Sequence, residues 1–260
     1  MESIQNLINT MEQVGEEQCK ECGRVYKLYK TPVGVAGGCK PCEDKKFKAK
    51  LNLPTVEDYR ESKERNFILS FERVSTDLQK ATVKSYKPVT DSQKEAKQAA
   101  IDFITQFDGK HSLALSGTPG LGKSHLAYAI CKAIRKQGYK TLFIKSTDLL
   151  EKIRGTYSGN GLAEEDIFNM IYNLDLLALD DIGSEYVKKD EQGHESWASD
   201  VLYKVMDLRL EKSTICTTNY TESELEAKYG KNGVRITDRM MDMAKGIRLI
   251  GDSYRKKERF

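Results

Sequence analysis

The chain has one tryptophan and three histidines in 260 residues, and its formal net charge is only +3. No apolar run approaches the roughly 18 residues that a membrane-spanning helix needs. Met1-Glu-Ser-Ile-Gln-Asn lacks the basic start and apolar stretch of a secretory leader, so a cytoplasmic protein without a membrane partner is expected. Trp197 and the histidines fall in no ligating or catalytic pattern and are read as structural. So small a net charge says little by itself, which moves attention to where the charges lie.

What is present is ordinary in bulk and uneven in detail. With 31% charged and 39% hydrophobic residues, the composition is that of a globular protein, long enough for one sizeable core and an appendage. Between Lys20 and Lys50, nine basic residues (Lys20, Arg24, Lys27, Lys30, Lys40, Lys45, Lys46, Lys48, Lys50) outnumber three acidic ones (Glu21, Glu43, Asp44). Arg255, Lys256, Lys257 and Arg259 form a second basic group. Either group suits contact with phosphate backbone, and either suits a plain solvated surface.

Four of the six cysteines fall in Cys19-Lys-Glu-Cys22 and Cys39-Lys-Pro-Cys42. Two C-x2-C pairs separated by a short loop have the spacing of a structural zinc site, in which four thiolates close a tetrahedral shell. Disulfides are the competing reading, and a reducing cytoplasm disfavours them. Cys131 and Cys216 sit in apolar stretches and read as small core residues. Ahead of the cysteines, Ile4, Leu7, Ile8, Met11 and Val14 recur at helical spacing, a stripe that packs on the metal module or on a partner.

Gly117-Thr118-Pro119-Gly120-Leu121-Gly122-Lys123-Ser124 spells G-x-x-x-x-G-K-[ST]. Ser112-Leu-Ala-Leu-Ser-Gly117 reads as a buried strand before it, and Leu126, Ala127, Ile130, Ala133 and Ile134 repeat at helical spacing after it. Strand, glycine turn and helix start aim backbone N–H groups at one point, where polyphosphate is held. Lys123 then neutralises outer phosphates, and Ser124 offers Mg2+ a hydroxyl. Leu176-Leu-Ala-Leu-Asp180-Asp181 is an apolar strand ending in two carboxylates. Asp180 suits the Mg2+ shell and Asp181 suits polarisation of an attacking water. Many such ATPases carry Glu at the second place, and the shorter Asp implies a displaced water or slow hydrolysis.

Three segments follow: an amino-terminal helix and zinc module at 1–50, a charged linker with helical pieces at 51–73, and an ATPase domain at 74–260. Strand-like stretches at Thr141–Ile144, Leu176–Leu179, Thr214–Cys216 and Ile247–Ile250 alternate with amphipathic helices, which predicts an α/β fold with nucleotide at the carboxyl edge of a parallel sheet.

From Ser75 to Arg255 the chain resembles replicative helicase loaders of the DnaC and DnaI type, a branch of the AAA+ ATPases that includes IstB-like transposition helpers. The resemblance rests on Ala81-Thr-Val-Lys-Ser-Tyr-Lys-Pro88, the phosphate loop, Leu179-Asp-Asp-Ile-Gly183, Thr217-Thr-Asn219, Val234-Arg-Ile-Thr-Asp-Arg-Met240 and Gly251-Asp-Ser-Tyr-Arg255. It implies a P-loop NTPase with a central parallel sheet and no separate helical lid, preceded here by the metal module. Loaders of the DnaI type also carry a metal-binding leader, with a different ligand set, that engages the hexameric helicase.

The resemblance further implies roles. Asn219 matches the first sensor, Arg239 the arginine finger given to a neighbouring subunit, with Arg235 one turn earlier, and Arg255 the second sensor. Tyr86 and Val83 fall where the family wraps adenine, and His125 joins the nucleotide contacts only by its place after Ser124. Lys145, Lys152, Arg154 and Tyr157 occupy the insertion that touches single-stranded DNA, where cations follow the backbone and an aromatic stacks on a base. For the arginines, Tyr86 and the insertion, an ordinary surface or core role fits the bare residues as well. The implied protein is an ATP-dependent helicase loader that self-associates, uses ATP, Mg2+ and Zn2+, and contacts the replicative helicase and single-stranded DNA. A transposition helper and a zinc-ribbon adaptor with little turnover are the alternatives.

Overall fold

The computed structural model describes residues 12–51, 56–157, 163–187 and 197–254. The chain divides into two units, Met1–Ser62 and Lys63–Phe260. In the first, β1 (Gln13–Gln18), β2 (Val25–Thr31) and β3 (Gly34–Ala36) form an antiparallel sheet in that order, followed by helix α1 (Lys40–Leu51). Val14, expected on a helical stripe, lies in β1 and is exposed, while Ile4, Leu7, Ile8 and Met11 fall outside the described residues. Cys39 is the one buried apolar residue among the described residues before Ile68. So thin an apolar core leaves the four sulfurs to organise this unit.

The second unit is built on a five-stranded sheet of order β5-β6-β7-β4-β8 with every pairing parallel. Its strands are β4 (Ser112–Gly117), β5 (Thr141–Lys145), β6 (Leu176–Ile182), β7 (Thr214–Thr218) and β8 (Ala244–Leu249), each at or beside an expected position. Both sheet faces are covered, as a parallel sheet requires. Because side chains alternate along a strand, Leu177 and Leu179 enter one core with α6 (Ser146–Thr156), α7 (Glu164–Asn173) and α8 (Trp197–Leu208). Leu176 and Ala178 enter the other, with α4 (Asp91–Thr105) and α5 (Lys123–Lys136). Among the described residues, no helix is long and apolar enough to cross a membrane.

The expected ATPase boundary near Val74 falls inside this unit rather than at its start. Helix α2 (Val56–Leu69) delivers Ile68 and then Phe71 into the first core. Glu72 is nearly buried, accepts the backbone N–H of Phe143 on edge strand β5 at 3.0 Å, and pairs with Arg135 of α5. The residues before Val74 are charged overall, which hides the few that anchor. Short helix α3 (Thr76–Gln79) follows, its first turn capped by the Ser75 hydroxyl.

Candidate nucleotide site and metal cluster

The loop between β4 and α5 is shaped by its glycines. A Cβ on Gly117 would lie 2.1 Å from the Leu249 carbonyl oxygen, and Gly117 has φ +125°, so only glycine fits between the paired strands. Gly122, with φ +83°, starts α5 without a side-chain cap, leaving the helix N-terminus open toward the loop. Lys123 is buried and folds its ammonium onto the carbonyls of Gly117 (2.6 Å) and Thr118 (2.9 Å) and onto Asn219 Oδ1 (2.8 Å). Burial lowers its pKa, with Asp181 and Asp180 opposing the shift.

At the end of β6 the pairing with β7 shifts register between Leu179 and Ile182, and Asp181 takes φ +60°. Such an irregularity re-aims side chains at a sheet's rim. Here it separates the two carboxylates. Asp180 is buried and accepts from Thr217 Oγ1 at 2.6 Å, while Asp181 accepts from Asn219 Nδ2 at 2.7 Å and donates its backbone N–H to Thr217 Oγ1 at 2.8 Å. Burial raises the Asp180 pKa, and hydrogen bonds from Thr217 and Ser124 work against that rise. Lys123, Asn219 and Asp181 thus form one hydrogen-bonded chain through a single amide.

These groups line a cavity of about 560 Å³ with Pro119, Gly120, Gly122, Ser124, His125, Lys145, Tyr254 and Arg73. Thr118 and Leu121 belong to the loop without lining the cavity. Tyr86 does not line it either, contrary to the adenine expectation. Its ring lies against Gly122, where a Cβ would meet it at 2.5 Å, and its hydroxyl donates to the Leu121 carbonyl at 2.8 Å, so it is a buried prop beneath the loop. Val83 packs beside the same core. Tyr254 is the aromatic at the rim, its backbone N–H bonded to the Gly120 carbonyl at 3.0 Å. His125 Nε2 lies 2.9 Å from the Thr82 carbonyl.

Thr217 and Tyr254 lie in motifs quoted from the sequence without a role of their own, and Arg73 lies in none. Thr217 stands two residues before Asn219, a spacing that puts both on one face of an extended segment and would have found it. Arg255 and the terminal basic group lie outside the described residues.

The four expected DNA-contact residues do not stay together. Lys145 ends β5 in register with Asp180 and lines the cavity beside the phosphate loop. On α6, the Arg154 guanidinium lies 4.7 Å from the Trp197 ring centroid. Tyr157, which caps that helix, is 60% exposed and accepts from Trp197 Nε1 at 3.2 Å. Trp197, read as structural, therefore belongs to this aromatic and basic cluster. The Lys152 ammonium sits 5.4 Å from the Phe71 ring. Arg239, on α9 (Gly233–Met240), does not line the cavity. Its Nε donates to Asp207 Oδ1 at 2.7 Å and its plane lies 4.7 Å from the Tyr203 ring, while Arg235 on the same helix is exposed.

In the first unit, the ligand atoms of Cys19, Cys22, Cys39 and Cys42 lie within 4.8 Å of one another. The Cys19–Cys42 and Cys22–Cys39 sulfur distances are 3.8 and 3.5 Å. A zinc tetrahedron with arms of about 2.3 Å has edges of about 3.8 Å, so the four thiols fit that ion. One pair sits in the β1–β2 turn, where the Gly23 N–H donates to the Cys19 carbonyl, and the other at the start of α1. Backbone N–H groups of Glu21 and Cys22 lower the Cys19 thiol to about 7.

Comparison with known proteins agrees with this geometry. Residues 57–260 match the family described as IstB-like ATP binding protein. The chain is similar to the replicative helicase loader DnaC of Escherichia coli (strain K12), 30% identical over 181 residues, 69% of this chain and 71% of that protein. It is also similar to the insertion sequence IS232 putative ATP-binding protein of Bacillus thuringiensis subsp. berliner, 31% identical across 63% of this chain and 64% of that one. Among solved structures, a crystal structure of the DnaC helicase loader superposes with a TM-score of 0.58 at 26% identity, covering 68% of this chain and all of that one.

Proposed function

The chain belongs to the IstB-like ATP binding protein family, and on that premise we propose that it is an ATP-dependent loader of the replicative DNA helicase onto single-stranded DNA. The observation that carries the reading is the cavity at the carboxyl edge of the sheet, where a phosphate loop, two carboxylates and a bridging asparagine converge. The body around it has the fold and much of the length of DnaC.

In this reading the backbone N–H groups of the loop hold the polyphosphate, and Lys123 exchanges its loop carbonyls for phosphate oxygens. Ser124 and Asp180 offer hard oxygen donors that fit Mg2+, which when bound neutralises charge on the outer phosphates. Asp181 orients and polarises the attacking water. Asn219, joined to both Lys123 and Asp181, reports to each what the other is doing. Arg239, or Arg235 beside it, serves the site of a neighbouring copy, so hydrolysis requires self-association. Lys145 belongs with the nucleotide groups, and Lys152, Arg154, Tyr157 and Trp197 make the single-strand contact by stacking and charge. Cys19, Cys22, Cys39 and Cys42 hold a structural zinc, and the module they close engages the helicase.

Affinity capture from the protein's own cell extract, with and without the first 50 residues, tests the assignment. Retention of the replicative helicase by the full chain and its loss on truncation are expected. The similarity to the IS232 protein keeps a transposition helper as the second reading. Capture of a transposase, with duplex rather than single-stranded DNA stimulating hydrolysis, would favour it.

A further inference from the structure

Arg73 stands where three parts of the ATPase unit meet. It lines the same cavity as Lys123, Ser124 and Asp180, yet its guanidinium pairs with Glu151 of α6 at 3.7 Å. The residue before it, Glu72, is anchored twice, by Arg135 and by the Phe143 N–H, which fixes where Arg73 emerges. The residue before that, Phe71, is buried and carries the Lys152 ammonium of α6 against its ring. Residues 71, 72 and 73 therefore touch α6, the sheet edge and the cavity in succession.

The Arg73–Glu151 pair is a poor resting place for a guanidinium. Its side chains are 63% and 73% exposed, so water and salt screen their attraction. A polyphosphate in the cavity offers several charges and paired oxygens that match the guanidinium fork. We propose that Arg73 is a phosphate-binding residue of this cavity that gives up Glu151 when nucleotide enters, so that filling the cavity loosens α6 from the segment before Val74. The inference rests on the nucleotide reading of the cavity and deepens it. One side chain cannot serve both partners, so nucleotide and the Glu151 carboxylate compete.

ATP binding measured by calorimetry in Mg2+ tests the competition on the full chain. Arg73→Ala is expected to weaken ATP by about tenfold, the loss of one charge-assisted contact. Glu151→Gln is expected to tighten it by about threefold, because the competing charge is gone. In the Arg73→Ala background, Glu151→Gln should change nothing, a non-additivity that general destabilisation does not produce. Trp197, the sole tryptophan, lies beneath Arg154 of α6 and reports on that helix: its fluorescence should shift on ATP addition in the parent chain and not in Arg73→Ala at saturating ATP.

Equal affinities in parent and both variants overturn the proposal while leaving the nucleotide reading intact. A parent chain that binds no ATP defeats the reading of the cavity and the proposal with it. A parent without a fluorescence shift, or a shift that survives in Arg73→Ala, overturns the link to α6.

Discussion

The two units of this chain solve the problem of holding a shape in opposite ways. Among the described residues before Ile68, only Cys39 is a buried apolar group, whereas the ATPase sheet buries leucines, isoleucines and aromatics on both faces. The first has little apolar surface to withdraw from water and instead gathers four thiols within 4.8 Å of one another, a set that fits zinc. The second has a core large enough to carry strain at its rim: a register shift, a left-handed aspartate and a buried lysine. Stability from a metal is concentrated at one point, and stability from a core is spread over many residues. Their responses to perturbation should therefore differ in kind.

The largest expected effect is removal of metal. Binding free energies of structural zinc in small modules are about 10–16 kcal/mol, so a chelator or Cys39→Ser should unfold the first unit. Circular dichroism and limited proteolysis should show the ATPase unit unchanged, with about one zinc per chain lost by metal analysis. Joint collapse of both units would show that they are not stabilised independently.

Next come the groups proposed to act on phosphate. Lys123→Ala should abolish ATP binding or turnover while the thermal transition remains cooperative, since the lysine's partners at the loop are backbone carbonyls that water can reach once it is gone. Arg239→Ala should preserve ATP binding and depress hydrolysis, by about 10^3 to 10^5 where such a residue is an arginine finger. Its bonds to Asp207 and Tyr203 hold it within its own chain. A mixture of Lys123→Ala and Arg239→Ala chains should regain some turnover. Co-assembly without rescue would transfer the role to the exposed Arg235.

The smallest effect sharpens the comparison most. Burial raises the Asp180 pKa, so its charge at neutral pH opposes folding, and its favourable contribution, present while it is protonated, is lost as pH rises through the folded-state value. Asp180→Asn keeps an acceptor for Thr217 without that charge. It should abolish Mg2+-dependent hydrolysis yet raise the melting temperature at neutral pH by about 2 °C or more. The gap should narrow in mildly acidic solution. A lowered melting temperature throughout would show that the carboxylate stabilises the rim rather than straining it.

What could be read in advance follows the same division between local and distributed causes. The phosphate loop, the carboxylate pair and the cysteine spacing are contiguous, and their chemistry is set by residues a few positions apart; all the strands of the ATPase sheet fell where apolar runs placed them. Tyr86, Lys145 and Trp197 are placed differently from what their neighbours in sequence suggest, because their placement depends on side-chain direction. Tyr86 turns under the loop only because Gly122 has no Cβ, and Lys145 lines the cavity because β5 ends in register with Asp180. Trp197 meets Arg154 and Tyr157 across a distance in sequence that no periodicity records. The three-stranded sheet of the first unit was hidden by its exposure, which leaves no apolar alternation to read.

The anchoring of Glu72 on the edge of β5 also bears on where the chain can be cut. A protein begun at Val74 would retain the phosphate loop and the carboxylate pair but lose, along with Arg73, the carboxylate that occupies the Phe143 N–H. It would also lose Ile68 and Phe71 from the core. An edge strand left with open donors is a template for strand addition by another copy. A piece begun at Val74 would then be prone to aggregate, whereas one begun near Lys63 should stay in solution.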